Sequence, residues 1–560
     1  MRYYLLHLRQ SEDNNLSMFR VISLWLDNTN HSFESEDQSF EELLHAVPSR
    51  KFLSVLPQLA PRLSNDNTAF AKTLRQIIAK CASEHPHHTL PILFSLKNSE
   101  KDKYILNASG DGGARGSSGG GGGAARTSAA AALVSQLATG NPRLATIIKQ
   151  MDKMCDAIIS FANYQPPSKE TKQKIPSAEN IHKLGHLNAI PVPIDNIAIR
   201  NDCNYSHISS LVSFENYFEL VGGINCPKKI TCIISDGRRK IMLIKGKDDL
   251  RQDAVMQQVF NIVNDLLEND PITSRSKLLI RTYKVVAMSR RSGALEWCAG
   301  TMPLSAFLCG PNGAHARYRP QDISAEAAAK KLKDCHDQRQ SNAVKLSVFK
   351  SILKDFKPVF HYFFTEHYLD PVTWYERRLA YIKSVAASSM VGYILGLGDR
   401  HVNNILIDKN TAEVIHIDFG IAFEQGRTLR TEETVPFRLT QDIIAGFGSC
   451  GTEGIFRKCC EKTMQLLRDN QEILLTILEV LLYDPLYSWS VISTQLNTNG
   501  GECKAGLAER TLLSVRSKLS GTEGGVAGGV AVGGQVAGLI RAATDPVNLS
   551  RLFYGWRAYL

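Results

Sequence analysis

Residues 398–420 hold the densest set of groups in this chain that could act together on one substrate. GDRHVNN (398–404) places Asp399 and Asn404 five positions apart with His401 between them, and DFG (418–420) adds a second carboxylate, Asp418. ILID and VIHIDFG read as the two strands of a hairpin with KNTAE as its turn. An amide and a carboxylate suit a hard divalent ion, and a further carboxylate or imidazole can receive a hydroxyl proton. Phosphoryl transfer needs little more than this: placed phosphates, metal on their oxygens, and a group that takes the proton. The plainer reading of such a stretch is a solvated polar loop.

Other candidates lie upstream. Lys245 ends a strand in KIMLIKG, a place from which an ammonium can reach a phosphate, and Asp248 or Asp253 in the following DDLRQD can hold it. Ser235, Asp236 and Gly237 form the tip of a hairpin, where backbone N–H groups can approach phosphate oxygens. Trp297 and Cys298 fall where strands give way to helices. The indole offers a stacking face for a purine and the Cys298 backbone a partner for its edge.

The surrounding elements follow from periodicity. Residues 1–106 read as helical, with Phe19, Ile22, Trp25 and Leu26 at three-and-four spacing, and Pro86 and Pro91 are expected to mark helix ends. His85, His87 and His88 cluster there, but no cysteine or acidic partner sits at ligand spacing, so a metal site is not expected. Residues 107–132 are glycine-rich and read as a flexible insertion; helix is expected again from about Leu133 to Tyr164, then a solvated break at PPSKETKQK. From about 206 the period shortens: KKITCIIS and KIMLIKG flank an Asp-Gly turn, a helix covers 248–267, and LLIRTYKVVAMS (278–289) reads as a strand. Long helices follow, one at about 373–396. Residues 486–530 are polar or glycine-rich and are expected to be mobile. The chain thus runs from helices through a β-rich lobe to an α-rich lobe, an α+β arrangement.

Composition adds bounds. The hydrophobic fraction of 43% and charged fraction of 21% are ordinary for a globular protein, and +10 over 560 residues is weak support for anionic partners. Twelve cysteines without a C-x-x-C pair read as reduced thiols of the cytosol or nucleus. No stretch reads as a membrane span, since ILLTILEVLLY is short and carries Glu479.

The Asp-to-Asn spacing and the later DFG resemble the catalytic loop of protein kinases, but with Asp-Arg-His where those carry His-Arg-Asp. That inversion, with DDLRQD after the lysine, marks the phosphatidylinositol-3-kinase-like group. GLGDRHVNNILI, HIDFGIAFEQGRTL, ETVPFRLTQDI, FRKCCEKTM, LLTILEVLLYDPLYSW, YKVVAMSRRSGALEWCAGTMP and KGKDDLRQDAVMQQVF resemble the phosphatidylinositol-3-kinase-related protein kinases. MFRVISLWLDN and HPHHTLPILFSLKN resemble the end of that family's helical FAT domain, and DPVNLSRLFYGWRAYL its FATC tail.

The resemblance implies a bilobal kinase fold. It sets a FAT end over 1–106 and 133–205, the N-lobe over 206–296, a hinge at 297–301, the C-lobe over 302–489, a flexible regulatory segment over 490–530 and FATC over 531–560. It also implies a nuclear serine/threonine kinase acting on Ser/Thr-Gln sites in DNA double-strand-break signalling, checkpoint control and telomere maintenance. Its cofactors would be ATP with Mg²⁺ or Mn²⁺. Lys245 would bind ATP phosphate and Asp253 orient it; Asp399 would be the base or hydroxyl-orienting group, with His401 stabilising transferred charge; Asn404 and Asp418 would hold the metal. The residues do not rank Asp399 over His401 as base. A homodimer and a DNA-end-binding nuclease complex are the partners expected of full-length relatives, which are several times longer, so the chain reads as a fragment, a truncated gene or a short form.

Phe419 stands where relatives carry leucine, a modest apolar exchange. A lipid kinase would need clustered basic residues in the loop after DFG, whereas IAFEQGRTLRTEETVP sets Arg427 and Arg430 against Glu424, Glu432 and Glu433. An inactive scaffold finds no support, because every catalytic position is filled. Direct DNA binding lacks any motif. Leu549, Leu552, Phe553 and Trp556 recur at helical spacing and are expected to pack on the α-rich lobe.

Overall fold

The computed structural model describes residues 1–11, 16–28, 40–102, 122–222, 225–482, 504–523 and 528–560. Most of the glycine-rich stretch (107–121) and the start of the 490–530 segment (490–503) lie outside these residues. The chain divides into two units, one made of Met1–Gln257, Tyr283–Trp297 and Thr476–Ser488, the other of Gln258–Thr282, Cys298–Leu475 and Trp489–Leu560.

In the first unit the expected amphipathic helix buries Phe19, Ile22 and Trp25, whose indole meets Phe40 and Phe70 at 6.1 and 4.8 Å between ring centres. Helix α1 (Ala69–Glu84) starts where the Thr68 hydroxyl accepts the Ala71 N–H. Helix α2 (Pro86–Lys97) starts at Pro86 as expected but runs through Pro91. Burial of Leu90, Leu93 and Phe94 outweighs the one backbone bond that Pro91 cannot make. Helix α3 (Gly122–Gly140) begins eleven residues before the expected Leu133, inside the supposed flexible insertion. Alanine is the best helix former, and Ala129 and Ala130 are buried in the face it presents. Helix α4 (Pro142–Asn163) is capped by Asn141, whose side chain accepts the N–H groups of Arg143 and Leu144.

Helices α2 and α4 pack with an antiparallel six-stranded sheet, ordered β1-β2-β3-β4-β6-β5: β1 (Lys172–Lys174), β2 (Leu211–Leu220), β3 (Lys228–Ile234), β4 (Arg239–Lys245), β5 (Val285–Ala287) and β6 (Gly293–Glu296). The β3–β4 hairpin closes through Gly237, whose φ of 83° suits the Asp-Gly turn. The sheet begins earlier than sequence suggests. PPSKETKQK supplies β1, an exposed lysine-bearing edge pairing Lys172 with Glu219, so lack of a buried face hides it from any hydrophobic pattern.

The second unit contains the three-stranded sheet β7 (Thr301–Pro303), β8 (Ile405–Asp408) and β9 (Val414–His416). The β8–β9 hairpin lies where ILID and VIHID predict it, with Asp408 accepting the N–H groups of Asn410 and Thr411 in the turn. Of the strand expected over 278–289 only Val285–Ala287 forms. The Asn264 side chain takes both the N–H and the C=O of Ile280, at 2.9 and 2.8 Å, and so replaces a ladder partner. Helix α5 (Leu250–Asn269) joins the two units along the chain, and α6 (Pro371–Ile394), capped by Asp370, forms the buried axis of the second. Helix α7 (Ile455–Asp469) packs on α6.

Part of the segment expected to be mobile is helical: α8 (Lys504–Ser520) buries Ala508, Val515 and Leu519 and carries Lys518, only 1% exposed. Helix α9 (Val532–Thr544) leads to the aromatic tail. No described helix is long and apolar enough to cross a membrane.

Leu549, Leu552 and Trp556 are buried as expected, while Phe553 is 47% exposed, because the chain leaves the helix after Leu549 and turns. The tail is held by a buried cation. Arg438 donates to the carbonyls of Trp556, Arg557 and Leu560 at 2.9, 2.9 and 2.8 Å, and lies 4.3 Å over the Trp556 ring. Burial pulls this guanidinium down to about 9. Arg438→Leu would strand the Trp556 and Leu560 carbonyls, leave that of Arg557 only the Leu560 N–H at 3.1 Å, and is expected to cost about 3 kcal/mol of stability. Chemical denaturation should show the loss and limited proteolysis should cut the freed tail; an unchanged midpoint with an intact tail would refute the role of Arg438.

Candidate active site

The loop before β8 departs sharply from regular backbone. Asp399 adopts a left-handed conformation (φ 55°), and so does Asp418 (φ 59°) just after β9. Such a conformation costs a non-glycine residue energy that its surroundings must supply. Arg400 supplies much of it. Buried at 3% exposure, its guanidinium donates to the carbonyls of Gly398 (2.7 Å), Ile417 (2.8 Å) and Asp418, and lies 5.4 Å over the Phe419 ring. Phe419 is itself fully buried, edge-on to Phe260, so the larger ring in place of leucine is accommodated.

Asn404 precedes β8, and its carbonyl accepts the Ile417 N–H at 3.0 Å, which sets it opposite the start of DFG. Its side-chain amide donates to the Asp399 carbonyl (3.0 Å) and carboxylate (3.3 Å). The amide oxygen is then the atom left for a cation. Asp418 is exposed, and one of its oxygens lies 3.4 Å from the Gly420 N–H. His401 Nε2 stands 3.9 Å from Asp399 Oδ2. Burial raises the Asp399 carboxyl above its ordinary range, with Asp418 adding to the effect and His401 and Arg400 opposing it; burial lowers His401. The structure thus brings Asp399, His401, Asn404 and Asp418 into one cluster of hard oxygen donors, a carboxylate and an imidazole.

Candidates of the first unit sit on its sheet. Lys245 ends β4, paired in register with Gly293, and its ammonium lies 3.4 Å from Asp248 Oδ2. Asp253 is buried in the first turn of α5. At the hairpin tip the N–H groups of Ser235 and Gly237 are engaged by the carbonyls of Ser210 and Ile234, both at 2.9 Å, which weakens the expectation that these groups meet phosphate. The Asp236 carboxylate is held by Arg238 and Ser209 well below the usual range. Trp297 is half-buried, with its N–H on the Ile241 carbonyl and Lys229 5.0 Å over its ring, so it is not a core residue. In the second unit the Cys298 carbonyl accepts the Thr301 hydroxyl at 2.7 Å.

Glu433 enters the sequence argument only through the charge balance of the loop after DFG, and the structure gives it a further role. Both its oxygens accept the Asp399 N–H, at 2.8 and 3.0 Å, and its own N–H bonds the Gly426 carbonyl. A Cβ on Gly398 would come within 2.7 Å of Glu433 Oε2, so the glycine there makes room for the carboxylate. Burial pushes Glu433 up to about 6. Nothing in spacing reveals a bond across 34 positions between two loops. Lys518 has no place in the sequence argument. It pairs with Glu424 in the loop after DFG and donates to the Tyr393 carbonyl at 2.8 Å.

The fold adds two partners beside one residue of the histidine cluster. Glu84, His85 and Cys203 present a carboxylate, an imidazole and a thiol within 4.8 Å of one another, although the sequence offered no partner at ligand spacing. Glu84 adjoins His85 in sequence, while Cys203 arrives from 118 positions away.

Comparisons with known proteins address the family of the chain. A family model described as phosphatidylinositol 3- and 4-kinase matches residues 241–491, one described as FATC domain matches 530–560, and one described as serine/threonine-protein kinase ATR-like, HEAT repeats matches 37–109. The sheet, the catalytic-loop cluster and the tail therefore define a phosphatidylinositol-3-kinase-like catalytic domain followed by FATC. The chain belongs to the ATM/Tel1 serine/threonine-protein kinase family. It is 42% identical to the serine-protein kinase ATM of Sus scrofa over 100% of its own length and 19% of that protein's, and 36% identical to the serine/threonine-protein kinase tel1 of Schizosaccharomyces pombe over 100% and 20%. The solved FAT and kinase domain of CtTel1 superimposes with a TM-score of 0.85 at 33% identity, covering all of this chain and 37% of that one. This chain spans about a fifth of the length of the curated relatives it matches.

Glu433 restrains the backbone of Asp399 without reaching past it; with Asp399 in the role the resemblance implies, Glu433→Ala is expected to lower kcat on the order of tenfold to a hundredfold, as removal of an outer partner does at other sites. The assay is run at saturating nucleotide and peptide, with thermal unfolding alongside. A folded variant with unaltered kcat would show that Asp399 keeps its place unaided.

Proposed function

We propose that this chain transfers the γ-phosphate of ATP to serine or threonine followed by glutamine in protein substrates. The observation that carries this reading is the cluster of Asp399, His401, Asn404 and Asp418 on one restrained loop and hairpin. Asp399 would receive or orient the substrate hydroxyl, and His401 would stabilise the charge that moves. Asn404 and Asp418 would hold Mg²⁺ or Mn²⁺, which neutralises the phosphate oxygens during transfer; an amide oxygen and an exposed carboxylate are the hard donors such ions take. Lys245, steadied by Asp248 or Asp253, would bind ATP phosphate, and Trp297 would offer its exposed face to adenine.

The family label leaves a phosphoinositide substrate as the rival. The loop after DFG argues against it. Arg427 is paired with Glu424 at 2.5 Å and lies 3.6 Å from Glu523, so its charge is already balanced and little remains to draw a polyphosphate headgroup. Likeness to ATM and Tel1 extends the reading to DNA double-strand-break signalling, checkpoint control and telomere maintenance in the nucleus. Recruitment by a DNA-end-binding nuclease complex belongs to the same reading, and so does a homodimer, since one solved relative is described as a complete CtTel1 dimer with C2 symmetry.

The test pairs a Ser-Gln peptide with its Ser-Ala counterpart and, in parallel, phosphatidylinositol vesicles. Phosphate should pass to the Ser-Gln peptide alone, and Asp418→Ala should lower turnover by about a thousandfold while the protein stays folded. Transfer to lipid in preference to peptide would overturn the substrate class, and full turnover by the Asp418 variant would overturn the assignment of that residue.

A further inference from the structure

The first unit contains a buried carboxylate that the proposed chemistry does not use. Asp102, 2% exposed, lies beyond α2 in the N-terminal helical region. Its Oδ1 accepts the Ser292 hydroxyl at 2.6 Å and the Asn163 amide at 3.2 Å; its Oδ2 accepts the Ser289 hydroxyl at 2.6 Å and the Arg291 N–H at 2.9 Å. Three of these four donors belong to one tight turn, residues 288–292, which joins β5 to β6. The turn also closes on itself, with the Met288 N–H on the Ser292 carbonyl at 2.9 Å and the Ser292 N–H on the Ser289 hydroxyl at 3.0 Å. A fully bonded buried carboxylate fixes its donors closely; removing it would take the acceptor from the Ser292 hydroxyl and the Arg291 N–H, while the Asn163 amide keeps the Ile159 carbonyl at 3.0 Å and the Ser289 hydroxyl keeps only the Ser292 carbonyl at 3.5 Å.

The turn in turn carries the neighbourhood of Lys245. Its Arg291 carbonyl accepts the Asp248 N–H at 3.1 Å, and Asp248 is the residue whose carboxylate faces the Lys245 ammonium at 3.4 Å. Next to the turn, Gly293 pairs with Lys245 in the sheet, and a Cβ at Gly293 would strike the Val286 carbonyl at 2.4 Å, so the close approach of β5 and β6 there admits only glycine. From Asp102 to Lys245 there is thus one continuous path: carboxylate, turn, Asp248 backbone, Asp248 side chain, ammonium.

We propose that Asp102 is a positioning residue for nucleotide: by clamping the β5–β6 turn it sets Asp248 and hence Lys245, so that the helical region governs ATP affinity more than the rate of transfer. This rests on the reading that Lys245 binds ATP phosphate. The experiment measures the dissociation constant for a non-hydrolysable ATP analogue, the KM for ATP and kcat on a Ser-Gln peptide, for the wild type, Asp102→Ala, Asp102→Asn and Ser292→Ala, each checked by thermal unfolding. Asp102→Ala should weaken analogue binding and raise the KM for ATP about tenfold, with kcat at saturating ATP changed by less than about twofold. Asp102→Asn, which keeps one acceptor oxygen, should fall between it and wild type. Ser292→Ala, a small change that keeps the fold, should shift binding the same way, and the double variant with Asp102→Ala should add little to either. Variants that bind the analogue as wild type does would overturn the proposal, and so would a fall in kcat with binding unaltered. A wild type that binds no analogue would instead overturn the kinase reading, and this inference with it.

Discussion

The guanidinium of Arg400 is the constraint on which the catalytic-loop cluster depends. It sits between two acidic residues in left-handed backbone and bonds to main-chain carbonyls: one before Asp399, one before Asp418 and that of Asp418 itself. A cation that satisfies three carbonyls at once fixes the spacing of the two segments in a way that a salt bridge between flexible side chains would not. Its own carbonyl is in turn held by Arg438, at 3.3 Å, so that one buried arginine hands the constraint to the next. Asn404 and Glu433 then need only complete a geometry already set.

The first unit solves a similar problem with the opposite charge. Where the second unit uses buried cations to gather carbonyls, the first uses the Asp102 carboxylate to gather N–H and O–H donors. Both devices lower the heavy cost of a lone buried charge by bonding it to groups that are themselves fixed. Both also act on turns, where no ladder of backbone bonds is present to do the work.

Much of this was legible in the residues. Alternation around KNTAE and around the Asp-Gly turn reveals two hairpins, because strand period and turn chemistry are local properties. The α+β order follows from the same signals. What escaped has a common physical cause. Glu433, Cys203 and Lys518 act across 34, 118 and 94 positions, and a single sequence carries no trace of such contacts. Strand β1 has no buried face to produce a pattern. Helix α2 passes through Pro91 and helix α3 starts among glycines because tertiary burial and alanine propensity overrode the local breakers. The tail misled in a smaller way: helical spacing suggested four inward residues, but the chain turns after Leu549 and leaves Phe553 outside.

The clasp between Arg438 and the tail also bears on the order of events during synthesis. The carbonyl of Trp556 that it holds lies 118 positions further along the chain. A ribosome therefore finishes the catalytic loop long before it delivers the segment that fills the guanidinium beneath it. Until those last residues emerge, Arg438 has buried surroundings but lacks most of its acceptors, and the loop above it rests on an unfinished support. Up to that point the loop rests on a cation that has one of its four main-chain acceptors, the Arg400 carbonyl, and lacks the other three.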